Sequence, residues 1–137
     1  MKLAFTVPGF PVPKARARVQ IRAGKVRSFT PDATTEFEAR VRWGARMAVA
    51  SQGGWPVNAK AYRLTCRFYR PKGGRGDIDN YVKAVADALN PKRGATEQTR
   101  LVWIDDCRVR SLTAEIETDD ENPRTEVEVE VIENADR

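Results

Sequence analysis

Gly76-Asp77-Ile78-Asp79-Asn80-Tyr81-Val82-Lys83-Ala84-Val85-Ala86-Asp87-Ala88-Leu89-Asn90 is the stretch around which the rest of the chain is ordered. Ile78, Val82, Val85, Ala86 and Leu89 recur at helical spacing, so about Asp79 to Leu89 reads as a helix, closed by Asn90-Pro91. Asp77 and Asp79 are two residues apart. In extended chain, side chains at i and i+2 share a face, so both carboxylates can converge on one point. Asp79, Lys83 and Asp87 then follow at intervals of four within a broad face of the helix, which puts Lys83 one turn from the acids. Some two dozen residues on, Trp103-Ile104-Asp105-Asp106 supplies a second acidic pair.

The flanking segments read mostly as strands. Ala61 to Tyr69 sets Leu64, Cys66 and Phe68 against Arg63, Thr65 and Arg67, the period of an interior strand. Val109 to Thr118 alternates through Leu112, Ala114 and Ile116. Thr125 to Ile132 opposes Val127, Val129 and Val131 to Glu126, Glu128 and Glu130, an acidic row expected to discourage edge-to-edge pairing. Lys2 to Val7 reads as a first strand, stopped by Pro8-Gly9-Phe10-Pro11-Val12-Pro13. Val19–Ile21 and Val26–Phe29 can pair as a hairpin across Ala23-Gly24. Thr30-Pro31-Asp32 opens a helix running to about Ser51, with Phe37, Val41, Ala45 and Ala48 on one face. Trp43 and Met47 widen that apolar surface, either for deeper burial or for a subunit contact. These elements predict an α/β (α+β) fold: one small domain spanning 1–137, a mixed β-sheet with two main helices, and a frayed C-terminus.

Composition narrows the function. The 137 residues carry a net charge of +5. Residues 1–75 hold 16 Lys/Arg against 3 Asp/Glu, and residues 76–137 hold 8 against 16, so a basic half precedes an acidic one. Such segregation suggests a polyanion-binding surface beside an acidic element, or more blandly a solvated basic surface with an acidic tail. Histidine is absent, which excludes histidine general bases, His-ligated zinc and a Ser-His-Asp triad. Cys66 and Cys107 lack metal or redox spacing and read as buried thiols of a reducing cytosol. No apolar run is long enough for a membrane span, and Pro8, Pro11 and Pro13 interrupt the N-terminal stretch, against a signal peptide. The glycines at 73, 74 and 76 precede no Lys-Ser/Thr, so no P-loop and no nucleotide cofactor are expected.

Any catalysis is therefore left to carboxylates, lysine, water and a metal. Acids brought to about 4 Å at an effective dielectric near 20 repel by roughly 4 kcal/mol per pair. A hard divalent cation reverses that sign, since Mg²⁺ prefers carboxylate oxygens and keeps waters open to substrate phosphate. Asp77, Asp79, Asp105 and Asp106 are the candidate ligands. A lone Asp-x-Asp is a weak signal, however: Asp77 can equally be a turn residue, Asp79 a cap, and Asp105-Asp106 a solvated turn. For phosphate contacts the candidates are Lys14, Arg16 and Arg18 in the proline-rich segment, and Arg70, Lys72 and Arg75 in the glycine-rich loop.

The run from Gly76 to Asn90, followed by Val102-Trp103-Ile104-Asp105-Asp106, resembles the RusA family of Holliday-junction resolvases. Pro11-Val12-Pro13-Lys14 to Arg18 is similar to the basic, proline-rich N-terminal segment of many members. The resemblance spans roughly residues 5–132, with its specific part in the central motif. It implies a cytoplasmic, DNA-associated homodimeric endodeoxyribonuclease that uses Mg²⁺, with Mn²⁺ as a substitute, to cut four-way branched DNA by paired symmetric incisions. It also implies that Asp77, Asp79 and Asp106 are the metal-binding catalytic acids, that Lys83 is the catalytic lysine, and that Asp105 is the acid beside the third ligand. The chain departs from the pattern by a longer loop between Leu89 and Trp103 and by the acidic turn at 119–121. The residues alone leave two rivals: a non-catalytic, structure-selective DNA-binding protein, and a metal-dependent nuclease of flaps or RNA.

Overall fold

Alternation in four segments gives each an apolar row, and two helices cover most of it, Leu112 staying exposed. The computed structural model describes residues 1–15, 18–22, 25–29, 32–92 and 100–132, with 18–22 and 25–29 described by backbone alone. In chain order it contains β1 (Lys2–Pro8), β2 (Arg18–Arg22), β3 (Lys25–Phe29), α1 (Asp32–Gln52), β4 (Tyr62–Arg70), α2 (Ile78–Leu89), β5 (Val109–Thr118) and β6 (Arg124–Val131). The expected cap at Thr30-Pro31, the expected fraying of the C-terminus and most of the 90–102 segment lie outside the described residues.

The main sheet has the order β1-β6-β4-β5. β1 and β4 both run antiparallel to β6, while β4 and β5 are parallel in the register Tyr62↔Val109 to Arg70↔Thr118. A parallel pair needs a crossover, and α2 supplies it. β2 and β3 form the separate antiparallel hairpin expected from the sequence. The result is a single α+β domain with a mixed sheet.

Leu3 and Val7, Leu64, Cys66 and Phe68, and Val127 and Val129 meet Phe37, Val41 and Ala45 of α1 in one core. Of the expected α1 face, only Ala48 is less than fully buried; Trp43 and Met47 are exposed, so the deeper-burial alternative does not hold. In α2 the buried stripe is Tyr81, Ala84, Val85, Ala88 and Leu89. Of the other expected positions Val82 and Ala86 are half-buried against the core, and Ile78 is 40% exposed. The cause is Tyr81. Its ring packs beside Phe68 at 5.1 Å, while its hydroxyl reaches the Arg75 carbonyl at 2.9 Å, so an amphipathic side chain takes the buried position.

The acidic row of β6 also has a different setting from the one expected. β6 is an interior strand, and its glutamates face basic residues of its neighbours: Lys2 pairs with Glu128 and Arg63 with Glu130. Arg67 pairs with Glu115 across the β4–β5 ladder. The solvent face of the sheet is thus charge-compensated strand by strand.

Candidate metal and DNA site

The turn leading into α2 is held from three directions. Arg70 donates to the Gly76 carbonyl at 3.1 Å and to the Tyr81 hydroxyl at 3.3 Å, with its guanidinium over the Tyr81 ring. The Tyr81 hydroxyl passes the chain on to Arg75. From the other side the Lys14 N–H donates to the Asn80 carbonyl at 2.8 Å, bringing the proline-rich segment onto the first turn of α2. Gly76 sits at φ +133°, where an added Cβ would lie 2.9 Å from the Tyr81 ring and 3.1 Å from Pro13. Only glycine fits this crossing without strain.

Asp77 and Asp79 emerge from this turn. Asp77 is the N-terminal flanking residue of α2, and its side chain makes no capping hydrogen bond; its carbonyl accepts from Asn80 and Tyr81 instead. Asp79 lies in the first turn. Both carboxylates are exposed, as is Lys83 one turn on, and none of the three has a side-chain partner among the described residues. Helix-capping therefore does not account for Asp77.

Asp105 and Asp106 are placed elsewhere. The parallel register sets the start of β5 beside the start of β4, whereas the Asp77 turn follows the end of β4. The two acidic pairs thus flank opposite ends of α2, whose 12 residues span about 18 Å at the standard helical rise. Among the described residues, no group of three or more His, Cys, Asp or Glu side chains could hold a metal ion. One chain does not bring the four acids together.

The second pair is itself divided. Val102 and Trp103 are fully buried; Trp103 leans on Tyr62 with ring centroids 5.8 Å apart, and the Val102 carbonyl accepts from the Trp55 indole at 2.9 Å. Anchored this way, the chain enters a single 3₁₀ turn, Asp106–Arg108. Asp105 caps that turn by accepting the Cys107 N–H at 3.1 Å. Hydrogen bonds from the Cys107 side chain and then its backbone hold the Asp105 carboxyl below its usual pKa, and the same contact raises the exposed Cys107 thiol. Asp106 instead accepts from the side-chain amide of Asn90 at 3.1 Å, and the Asn90 amide oxygen accepts from the Trp103 indole at 2.7 Å. The sequence marks Asn90 only as a helix stop. The clue was a polar amide, rather than glycine, preceding a buried tryptophan and an acidic pair.

The expected DNA contacts also separate. Arg16 and the side chain of Arg18 lie outside the described residues, although Arg18 opens β2. Lys72 and Arg75 are exposed in the loop before α2, and the Lys72 backbone N–H is tied to Asp120 at 2.7 Å. Arg70 is occupied in holding that loop. Lys14 is occupied too, with its ammonium 2.7 Å from Glu38 and 3.2 Å from Asp87. Burial lowers the Lys14 pKa, but the hydrogen bonds and charges of Glu38 and Asp87 more than offset this and leave it raised. Several first-half cations thus neutralise second-half acids, and the charge split along the sequence does not translate into two opposed faces. Of the two cysteines, Cys66 is buried, its thiol pushed up to about 12, whereas Cys107 is exposed, against the expectation of two buried thiols.

No helix among the described residues is long and apolar enough to cross a membrane. The family model described as endodeoxyribonuclease RusA matches residues 8–130. A Bacillus subtilis (strain 168) protein described as "Uncharacterized protein YqaN" is 32% identical over 142 residues, covering 91% of this chain and 93% of the relative. The family match takes in both acidic pairs, Lys83, β4, β5 and all of β6 but Val131, and it begins at Pro8, the last residue of β1. The chain belongs to the RusA endodeoxyribonuclease family.

Proposed function

We propose that this chain is a divalent-metal-dependent resolvase that cuts four-way DNA as a homodimer, with each site built from two copies. One observation carries this reading: Asp77 and Asp79 stand unpartnered at one end of α2, while Asp106 stands at the other. A twofold axis crossing the middle of α2 would bring the Asp77–Asp79 end of one copy to the Asp106 end of the other, twice per dimer. The surface such an axis would cross is suitably apolar. Ile78 is 40% exposed on α2, Val82 and Ala86 are half-buried along the same helix, and Leu112 on the edge strand β5 is 52% exposed. Two identical sites related by symmetry match the paired symmetric incisions that a four-way junction requires.

In this arrangement Asp77, Asp79 and Asp106 would supply hard oxygen donors of the kind Mg²⁺ or Mn²⁺ takes, and Asp105, spent on its turn, would stay outside the ligand set. Bound there, the ion would activate a water and stabilise the leaving oxygen of the phosphodiester. Lys83, exposed one turn beyond Asp79, would hold a phosphate oxygen. Lys72 and Arg75 would meet the backbone beside the site, with Arg18 and the hairpin extending the grip, while Arg70 and Lys14 would shape the surface rather than touch DNA. The test is cleavage of a synthetic four-way junction in Mg²⁺, in competition with flap, duplex and RNA substrates. Paired nicks in the junction are expected, with binding that weakens steeply as salt rises. Asp79→Asn is expected to bind the junction and leave it uncut. Wild-type protein that binds branched DNA but nicks none of it with either ion would rule the reading out.

A further inference from the structure

Asn90 closes α2, and its backbone N–H and both ends of its side-chain amide are used. Its backbone N–H bonds the Ala86 and Asp87 carbonyls at 3.1 and 3.3 Å. Its side-chain oxygen accepts from the Trp103 indole, and its side-chain NH₂ donates to Oδ2 of Asp106. The amide has only one workable orientation. The indole is a pure donor and needs the oxygen, while an ionised carboxylate is a pure acceptor and needs the nitrogen. Trp103 is fully buried against Tyr62, so its indole N–H is a fixed reference point within the core.

We infer that Asn90 is a positioning residue for the reaction: its amide, oriented by the Trp103 indole, holds one oxygen of Asp106 and thereby sets where the other is presented. The inference rests on the reading of Asp106 as a catalytic acid. Without this bond the Asp106 side chain could turn about its χ1 and χ2, and a carboxylate that must meet groups from a second copy would lose its fixed direction. The device suits a composite site. Each copy arrives with its half already aimed, so the ordering cost is met during folding rather than on assembly.

A simpler role for Asn90, as the buried partner of Trp103 and nothing more, makes a different prediction. Trp103→Phe removes the indole donor and leaves the bond from Asn90 to Asp106 available. Trp103→Phe combined with Asn90→Leu removes the indole and the amide together, so that only the Asp106 oxygen loses its partner. If Asn90 positions Asp106, the single variant, whose amide is still turned the right way by the acceptor-only carboxylate, cuts junctions within about threefold of wild type. The double variant then cuts at least tenfold more slowly in kcat, binds junction equally well in EDTA, and requires several-fold more Mn²⁺ for half-saturation by electron paramagnetic resonance. Equal kcat and equal Mn²⁺ binding in the two variants would overturn the inference. Asn90→Asp keeps an acceptor for the indole with Trp103 unchanged, replaces the donor to Asp106 by a repelling carboxylate, and is expected to show at least the same loss of kcat. Asp106→Asn separates the two layers. If it cuts normally, the catalytic reading of Asp106 fails and the inference falls with it; if it is inactive while Asn90→Asp is fully active, the positioning role alone is refuted.

Discussion

Lys14 Nζ lies 3.2 Å from the Asp87 carboxylate and 2.7 Å from Glu38, so one ammonium joins the proline-rich segment to both helices. Asp87 sits one turn beyond Lys83 and two beyond Asp79, on the same helix. Lys14→Met is expected to cost about 1–2 kcal/mol in urea unfolding at pH 7, because two partly enclosed carboxylates lose their shared partner. The pH dependence follows from the raised Lys14 pKa. A folded-state value above the unfolded 10.5 means the stabilisation is whole below 10.5 and fades as pH climbs through the higher folded value. The gap between wild type and variant should therefore be level from pH 6 to 9 and shrink above pH 10.5. A gap that grows with pH would contradict the assignment.

Separation of the acidic pairs by the length of α2 predicts complementation. Asp79→Asn and Asp106→Asn homodimers should each be inactive. In a heterodimer of the two, one composite site collects both substitutions and the other collects neither. Mixed dimers, formed by partial unfolding and refolding, should then nick a junction at one strand with roughly half the wild-type number of sites. If each site were built within a single chain, the mixture would stay inactive.

Gly76→Ala should damage the site without touching a carboxylate. The residue needs φ +133°, and the new methyl would press on the Tyr81 ring and Pro13. Strain of this kind costs on the order of 1–3 kcal/mol, and relieving it would move the adjacent Asp77. Expected are a lower melting temperature and a fall of at least tenfold in junction cleavage. Gly53→Ala, also at positive φ but with open space around it, should lower stability alone.

Thr125 is fully buried in the core row of β6, and its hydroxyl has no partner among the described residues. Valine has the same shape without the unsatisfied oxygen. Thr125→Val is therefore expected to stabilise the fold by about 1 kcal/mol, read as a shift of the urea midpoint at unchanged slope. No change in junction cleavage should accompany it, because the substitution keeps the buried shape and alters no charge.

Local order in this protein was written plainly in its sequence. The periods of β1, β4, β5, β6 and α1 identified each element to within a residue or two, and the absence of histidine together with the Asp-x-Asp start of α2 pointed to carboxylate chemistry. Periodicity reports which side chains share a face, and a face is a property of neighbouring residues. It does not report who sits across from that face. The glutamates of β6 looked the same in sequence whether the strand lay at an edge or between β1 and β4, and only the sheet order gave them Lys2 and Arg63 as neighbours. Lys14 looked like any other cation of a basic segment until two helices 24 and 73 residues downstream brought Glu38 and Asp87 to it. Asp77, Asp79 and Asp106 were legible as candidates, but their spacing was not, because a loop of that length could have returned Asp106 to either end of α2. The parallel pairing of β4 with β5 decided the matter, since parallel strands begin at the same end of a sheet and the helix between them must span its length.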